Sequence, residues 1–133
     1  MDWSEYLTLA KELAECDQES YKRSAISRAY YSAFCTTRGW LEEHQDFRRH
    51  KESGGSHERV WTAMKESSVK KLGKGSQRLC KHIWNVGRQL KRRRQFADYD
   101  DVINDIDKEV EQSLKEAEKI LANIEELRRR VAG

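Results

Sequence analysis

Residues 19–41 read ESYKRSAISRAYYSAFCTTRGWL, and this stretch decides the fold. Tyr21, Ala25, Ile26, Ala29, Tyr30, Ala33, Phe34 and Thr37 recur at intervals of three and four, the spacing that lines one face of an α-helix. Small residues at 25, 29 and 33 stack one turn apart, so a neighbouring helix can approach closely there. The pattern predicts a central helix from about 19 to 41. On its N-terminal side, Trp3, Tyr6, Leu7, Ala10, Leu13 and Ala14 repeat the same spacing and predict a first helix from 2 or 4 to 15. Its apolar stripe needs a partner, and the central helix supplies one.

On the other side the pattern dissolves. From Gln45 to Ser56, alternating charges and Gly54-Gly55 predict a mobile loop, after which Ser56 reads as the N-cap of a short helix holding Val60, Trp61 and Met64. A second break falls at Leu72-Gly73-Lys74-Gly75-Ser76. Its glycines and lysine lack both the G-x4-G-K-[ST] spacing and the preceding strand that a phosphate loop requires. A fourth helix is predicted from 76 to about 95, with Leu79, Cys80, Ile83, Trp84, Gly87 and Leu90 inward. Phe96-Ala97-Asp98-Tyr99 reads as a turn, with Asp100 or Asp101 capping a long last helix. That helix carries Ile103, Ile106, Val110, Ser113, Ala117, Ile120, Ile124, Leu127 and Val131 in three-four alternation.

The chain has 133 residues, no proline, and equal shares of hydrophobic and charged residues, 37% each. Proline is the usual interruption of a helical pattern, so its absence agrees with an all-α protein. The expected architecture is an antiparallel four- or five-helix up-down bundle forming a single domain over residues 1–133. No apolar run is long enough for a membrane helix, and no basic-then-apolar N-terminus marks a signal peptide, so a cytoplasmic protein without membrane contact is expected. Cys16, Cys35 and Cys80 form no CxxC pair and read as reduced thiols, the latter two on apolar faces. His44, His50, His57 and His82 lie apart from one another, His44 and His50 in the polar loop, and imply neither a metal site nor a cofactor.

Charge is unevenly spread. Residues 1–21 carry a net −5, residues 22–94 a net +13, residues 98–126 a net −8, and Arg128, Arg129 and Arg130 close the chain. A basic block between acidic ones fits either a polyanion-binding face or oppositely charged helices packed side by side. The cations crowd most densely at Arg88, Lys91, Arg92, Arg93 and Arg94. The attraction of a helix C-terminus for cations accounts for one or two of them, not five. Guanidinium groups grip phosphate oxygens with paired hydrogen bonds and hold their charge at any working pH, which suits RNA or a nucleotide. The competing reading sets Arg92, Arg93 and Arg94 against the acidic last helix, with Tyr99 covering the core.

Three stretches carry a family resemblance. Arg23-Ser24-Ala25-Ile26-Ser27-Arg28-Ala29-Tyr30-Tyr31-Ser32-Ala33-Phe34 resembles the S-R-A-Y-Y-A-x-F helix of HEPN domains. Ser56-His57-Glu58-Arg59-Val60-Trp61 is similar to the short helix entry that follows it, and Arg94-Gln95-Phe96-Ala97-Asp98-Tyr99-Asp100 resembles the R-N-x-A-D-Y-D signature turn. The resemblance implies a small helical bundle, commonly a homodimer, in a toxin–antitoxin or antiviral defence system. Many members are metal-independent endoribonucleases whose R-x4-6-H motif pairs a phosphate-stabilising arginine with a proton-moving histidine.

Here the arginine maps onto Arg94, but no histidine follows it, and five residues on stands Tyr99. A tyrosine, which ordinarily titrates near about 10, is a poor general base at neutral pH. A base would have to come from Asp98, or from His57 or His82 approaching on another helix or from a dimer mate. Some family members are paired with a minimal nucleotidyltransferase that adds AMP to a tyrosine beside the signature, a place that Tyr99 occupies. Tyr30 and Tyr31 point about 100° apart on a helix, so one can enter the core while Tyr31 faces the cleft. The resulting expectation is an RNA- or nucleotide-binding or partner module with weak or no cleavage. The alternatives are an active endoribonuclease using Arg94 with a substitute base, and a purely structural oligomerising bundle.

Overall fold

A computed structural model describes residues 1–45, 47, 56–67 and 73–132. Among the described residues five helices follow in order, with no strand: α1 (Ser4–Ala14), α2 (Glu19–His44), α3 (Ser56–Glu66), α4 (Lys74–Tyr99) and α5 (Ile106–Ala132). They form an all-α up-down bundle with α2 at its centre, touching each of the other four; α5 also packs on α1 and α4, and α3 lies across α2 and α4. Ala25, Ala29 and Ala33 are completely buried, as the small-residue spacing predicts.

Two apolar clusters result. The larger joins Tyr30, Trp40, Leu41, Trp61, Met64, Ile83, Leu90, Ile120, Ile124 and Leu127; a smaller one at the other end joins Ala25, Ile26, Ala97 and Val110. Each fully buried large aliphatic side chain contributes roughly 1.5–3 kcal/mol relative to exposure. The close approach of α3 and α4 depends on Gly87, where a methyl group would stand 2.3 Å from the buried Trp61 ring. Gly73, at φ 83, supplies the left-handed entry to α4.

The structure corrects several boundaries. α2 continues one turn past the expected end, so His44 closes a helix and does not lie in a loop. The predicted loop falls outside the described residues apart from Gln45, Phe47 and Ser56, and Ser56 is the first residue of α3. The largest correction is at the end of α4, where Phe96-Ala97-Asp98-Tyr99 is a last helical turn. Two forces extend the helix: Ala97 is buried against the smaller cluster, and Arg23 of α2 caps the turn from outside. The Arg23 guanidinium donates to the carbonyl oxygens of Ala97 (3.0 Å), Asp100 and Asp101 (3.1 Å), and its Nε donates to Glu19 (3.1 Å). The chain therefore turns over residues 100–105. The cap of α5 is Asp105, not Asp100 or Asp101: its Oδ1 accepts the Lys108 N–H at 3.2 Å, with its own φ at 51. Val131, expected in the buried stripe, is exposed near the C-terminal end of α5.

Candidate functional site

The buried face of α4 reads Ser76, Cys80, Ile83, Gly87, Leu90, Arg94 and Ala97, an unbroken three-four alternation. Arg94 thus occupies a position that this phase reserves for an apolar side chain, and it is only 9% exposed. Aromatic faces make the burial tolerable. Its guanidinium carbon lies 5.3 Å from the Tyr30 ring centroid and 5.7 Å from that of Tyr31, and Nη1 reaches Asp98 Oδ2 at 3.4 Å. Nε is buried without a hydrogen-bond partner.

His57 enters the same cluster from α3. Its ring stacks on Phe34 at 4.2 Å, lies nearly parallel to Tyr30 at 5.5 Å and meets Tyr31 edge-on at 5.8 Å. The Tyr30 hydroxyl stands 2.6 Å from His57 Nδ1 and accepts the Trp61 Nε1–H at 3.2 Å. The hydroxyl has two acceptor lone pairs and one proton, so it can either donate to Nδ1 or accept from it, as the imidazole tautomer dictates. Burial, then the positive fields of Arg94, Lys91 and Arg38, push His57 down to about 4, so the ring is uncharged at neutral pH. Burial likewise pushes the Tyr30 hydroxyl above its ordinary range, keeping it a hydroxyl and not a phenolate.

The five clustered cations divide among three directions. Arg93 faces α5 and is clamped by Glu116 (2.8 and 3.3 Å) and Glu109 (2.7 Å), so this guanidinium, expected to be open to phosphate, joins two helices of opposite charge instead. Arg94, expected to line an open cleft, is buried. Arg88 and Arg92 are exposed: Arg88 lies over Trp84 at 5.1 Å, and Arg92 pairs with no carboxylate among the described residues. Lys91, beside them, bonds Glu58 at 3.2 Å. Arg88, Lys91 and Arg92 line a groove of about 360 Å3 with Glu58, Asn85 and Gln95. Successive residues on a helix point about 100° apart, which scatters any run of three.

Tyr31 is half-buried beside Arg94, whereas Tyr99 is 76% exposed and, five residues on, lies about 140° around the helix from Arg94. Of the catalytic trio read from the signature turn, Arg94 and Asp98 are brought together and Tyr99 is not. Of the two substitute histidines, His57 joins the cluster; His82 sits half-buried on α4 with its Nε2 unpartnered. His44 adjoins Trp40 and Glu43, and His50 lies outside the described residues. Cys35 and Cys80 are buried free thiols, and burial pushes Cys80 up to about 11, which leaves it unreactive. Among the described residues no group of three or more His, Cys, Asp or Glu could hold a metal ion, and no helix is long and apolar enough to cross a membrane.

Sequence reasoning missed two roles. The burial of Arg94 was readable from its phase with Leu90 and Ala97. The cap supplied by Arg23 had no local signal, because its acceptors lie more than seventy residues away. No family model, curated protein or solved structure matches this chain.

Proposed function

We propose that this chain is a HEPN-like module that binds RNA or nucleotide phosphates along the outer face of α4 and serves a toxin–antitoxin or antiviral defence system. It acts as a homodimer or beside a separately encoded nucleotidyltransferase, with Tyr99 as the exposed acceptor of AMP. The observation that carries the binding reading is the exposed pair Arg88 and Arg92, one helical turn apart in the groove beside Lys91, with Arg92 free of any carboxylate among the described residues. Support for the family reading comes from the cluster itself: Tyr30, His57 and Arg94 derive from the three stretches that carry the resemblance, and they meet around one aromatic face.

The test is anisotropy of a labelled short single-stranded RNA over a range of salt. Affinity should fall steeply with salt, and Arg88→Ala and Arg92→Ala should each flatten the log–log slope by about 0.7. Arg93→Ala should leave it unchanged, since that guanidinium is already bound to carboxylates. Equal slopes for all four proteins would overturn the reading.

A second reading, cleavage, is favoured by the proximity of Arg94 and His57 to the same two tyrosine rings. The His57 ring is packed against Phe34 and Tyr30 and its Nδ1 is engaged by the Tyr30 hydroxyl, so the activity expected is weak. RNA incubated with the protein in EDTA should yield 2′,3′-cyclic phosphate ends, with Arg94→Ala and His57→Ala both inactive. Intact RNA after long incubation removes this reading and leaves the first in place.

A further inference from the structure

The last turn of α4 carries two aromatic rings that the core does not use. Phe96 is 47% exposed and Tyr99 is 76% exposed, and neither contacts another aromatic ring among the described residues. Arg88, Arg92, Phe96 and Tyr99 follow at steps of four, four and three, which confines them to an arc of about 80° on the helix and a length of about 16 Å. Two cations are therefore followed by two π faces along one solvent-facing stripe. Phe96 also walls a hollow of about 260 Å3 between the end of α4 and the turn at 100–105, whose lining includes Ile26, Asn104, Asp100 and the Arg93–Glu109 ion pair.

The chemistry of the stripe selects its occupant. An apolar helix laid on Phe96 would cover Arg92 and Arg88 without offering an acceptor, at a large desolvation cost. A second copy related by a two-fold axis through the cations would set them against each other, and one with the axis midway along the stripe would lay guanidiniums on rings without giving them an anionic acceptor. A single-stranded polynucleotide satisfies both halves: phosphates answer the guanidiniums, and unpaired bases offer flat π faces to the rings. A duplex keeps its bases stacked inside and could not use the aromatics.

Resting on the binding reading above, we propose that this stripe is a track for single-stranded RNA, with phosphates on Arg88 and Arg92 and unpaired bases stacked on Phe96 and Tyr99. One base enters the hollow, whose polar lining residues, Asn104, Asp100 and the Arg93–Glu109 ion pair, offer partners to its hydrogen-bonding edge.

The experiment compares two labelled oligonucleotides of equal length at one salt concentration, an ordinary single-stranded RNA and the same ribose–phosphate chain without bases. The wild-type protein should bind the first about tenfold more tightly. Phe96→Leu keeps the apolar bulk and removes the π face; it and Phe96→Ala should close most of that gap without changing affinity for the baseless chain. Phe96 is half-exposed, so both variants should fold, and an unchanged circular-dichroism melt verifies this. A gap that survives in Phe96→Leu, or no gap in the wild type, overturns the track while salt-dependent binding through Arg88 and Arg92 still stands. Absence of any RNA binding overturns both readings. A light-scattering mass that drops from dimer to monomer in Phe96→Ala, with the gap intact, makes the face a contact between copies and also ends the proposal.

Discussion

Acidification should destabilise this protein through one imidazole. His57 is held uncharged against Phe34 and Tyr30, and its pKa is pushed from the ordinary 6.5 to about 4 by burial and by Arg94, Lys91 and Arg38. A histidine whose pKa is depressed in the fold contributes stability that is fully present above the unfolded value of 6.5. That stability is lost as pH falls toward the folded value of about 4, because the unfolded chain takes up the proton first. Between pH about 7.5 and about 5 the linkage amounts to about 2 kcal/mol for a fully shielded ring. The ring is only partly buried, and solvent screening reduces the expected loss to about 1 kcal/mol. With a urea slope of about 1.5 kcal/mol per molar for a chain of this size, the midpoint should fall by about 0.7 M. The assay is urea unfolding followed by tryptophan fluorescence in the wild type and in His57→Gln, which cannot be protonated. Asp2, Glu111 and Glu126, whose carboxyls are held below their usual range by hydrogen bonds from Ser4, Lys115 and Arg129 respectively, weaken the fold only at lower pH and do so in both proteins. Parallel midpoints for the two proteins from pH about 7.5 to about 5 would refute the reasoning.

Gly87→Ala should destabilise despite a better helix propensity, because its methyl meets the Trp61 ring and displaces the donor to Tyr30; the expected net cost is about 2 kcal/mol, read as a melting temperature lower by roughly 5–10 °C. An unchanged or higher melting temperature would mean that α3 does not press on α4. Arg23→Ala should cost about 1–2 kcal/mol and speed hydrogen exchange at residues 98–105, since three carbonyl oxygens lose a charged donor; protection equal to the wild type there would show that the turn holds itself. Arg93→Ala should cost about 1–3 kcal/mol by leaving Glu109 and Glu116 facing one another, and should reduce the sensitivity of stability to added salt. Identical salt dependence would remove the ion-pair account of the charge blocks.

Much of the architecture was written in local pattern. The alanines at 25, 29 and 33, the stripe from Val110 to Leu127 and the lack of proline specify helices and their inner faces, because a 3.6-residue period needs no knowledge of the partner. The same phase, carried four residues past Leu90, places Arg94 inside. What the pattern could not give was the identity of each neighbour. Arg92, Arg93 and Arg94 are equivalent as letters, and only the packing of α4 against α2 and α5 sends one to solvent, one to two carboxylates and one onto tyrosine rings. The end of α4 was misread because its cap comes from Arg23, far away in the chain. His57 became part of the cluster for the same reason: a hydrogen bond to Tyr30 across twenty-seven residues leaves no periodic trace, and it exists because Gly87 lets α3 settle close enough to bring the imidazole there.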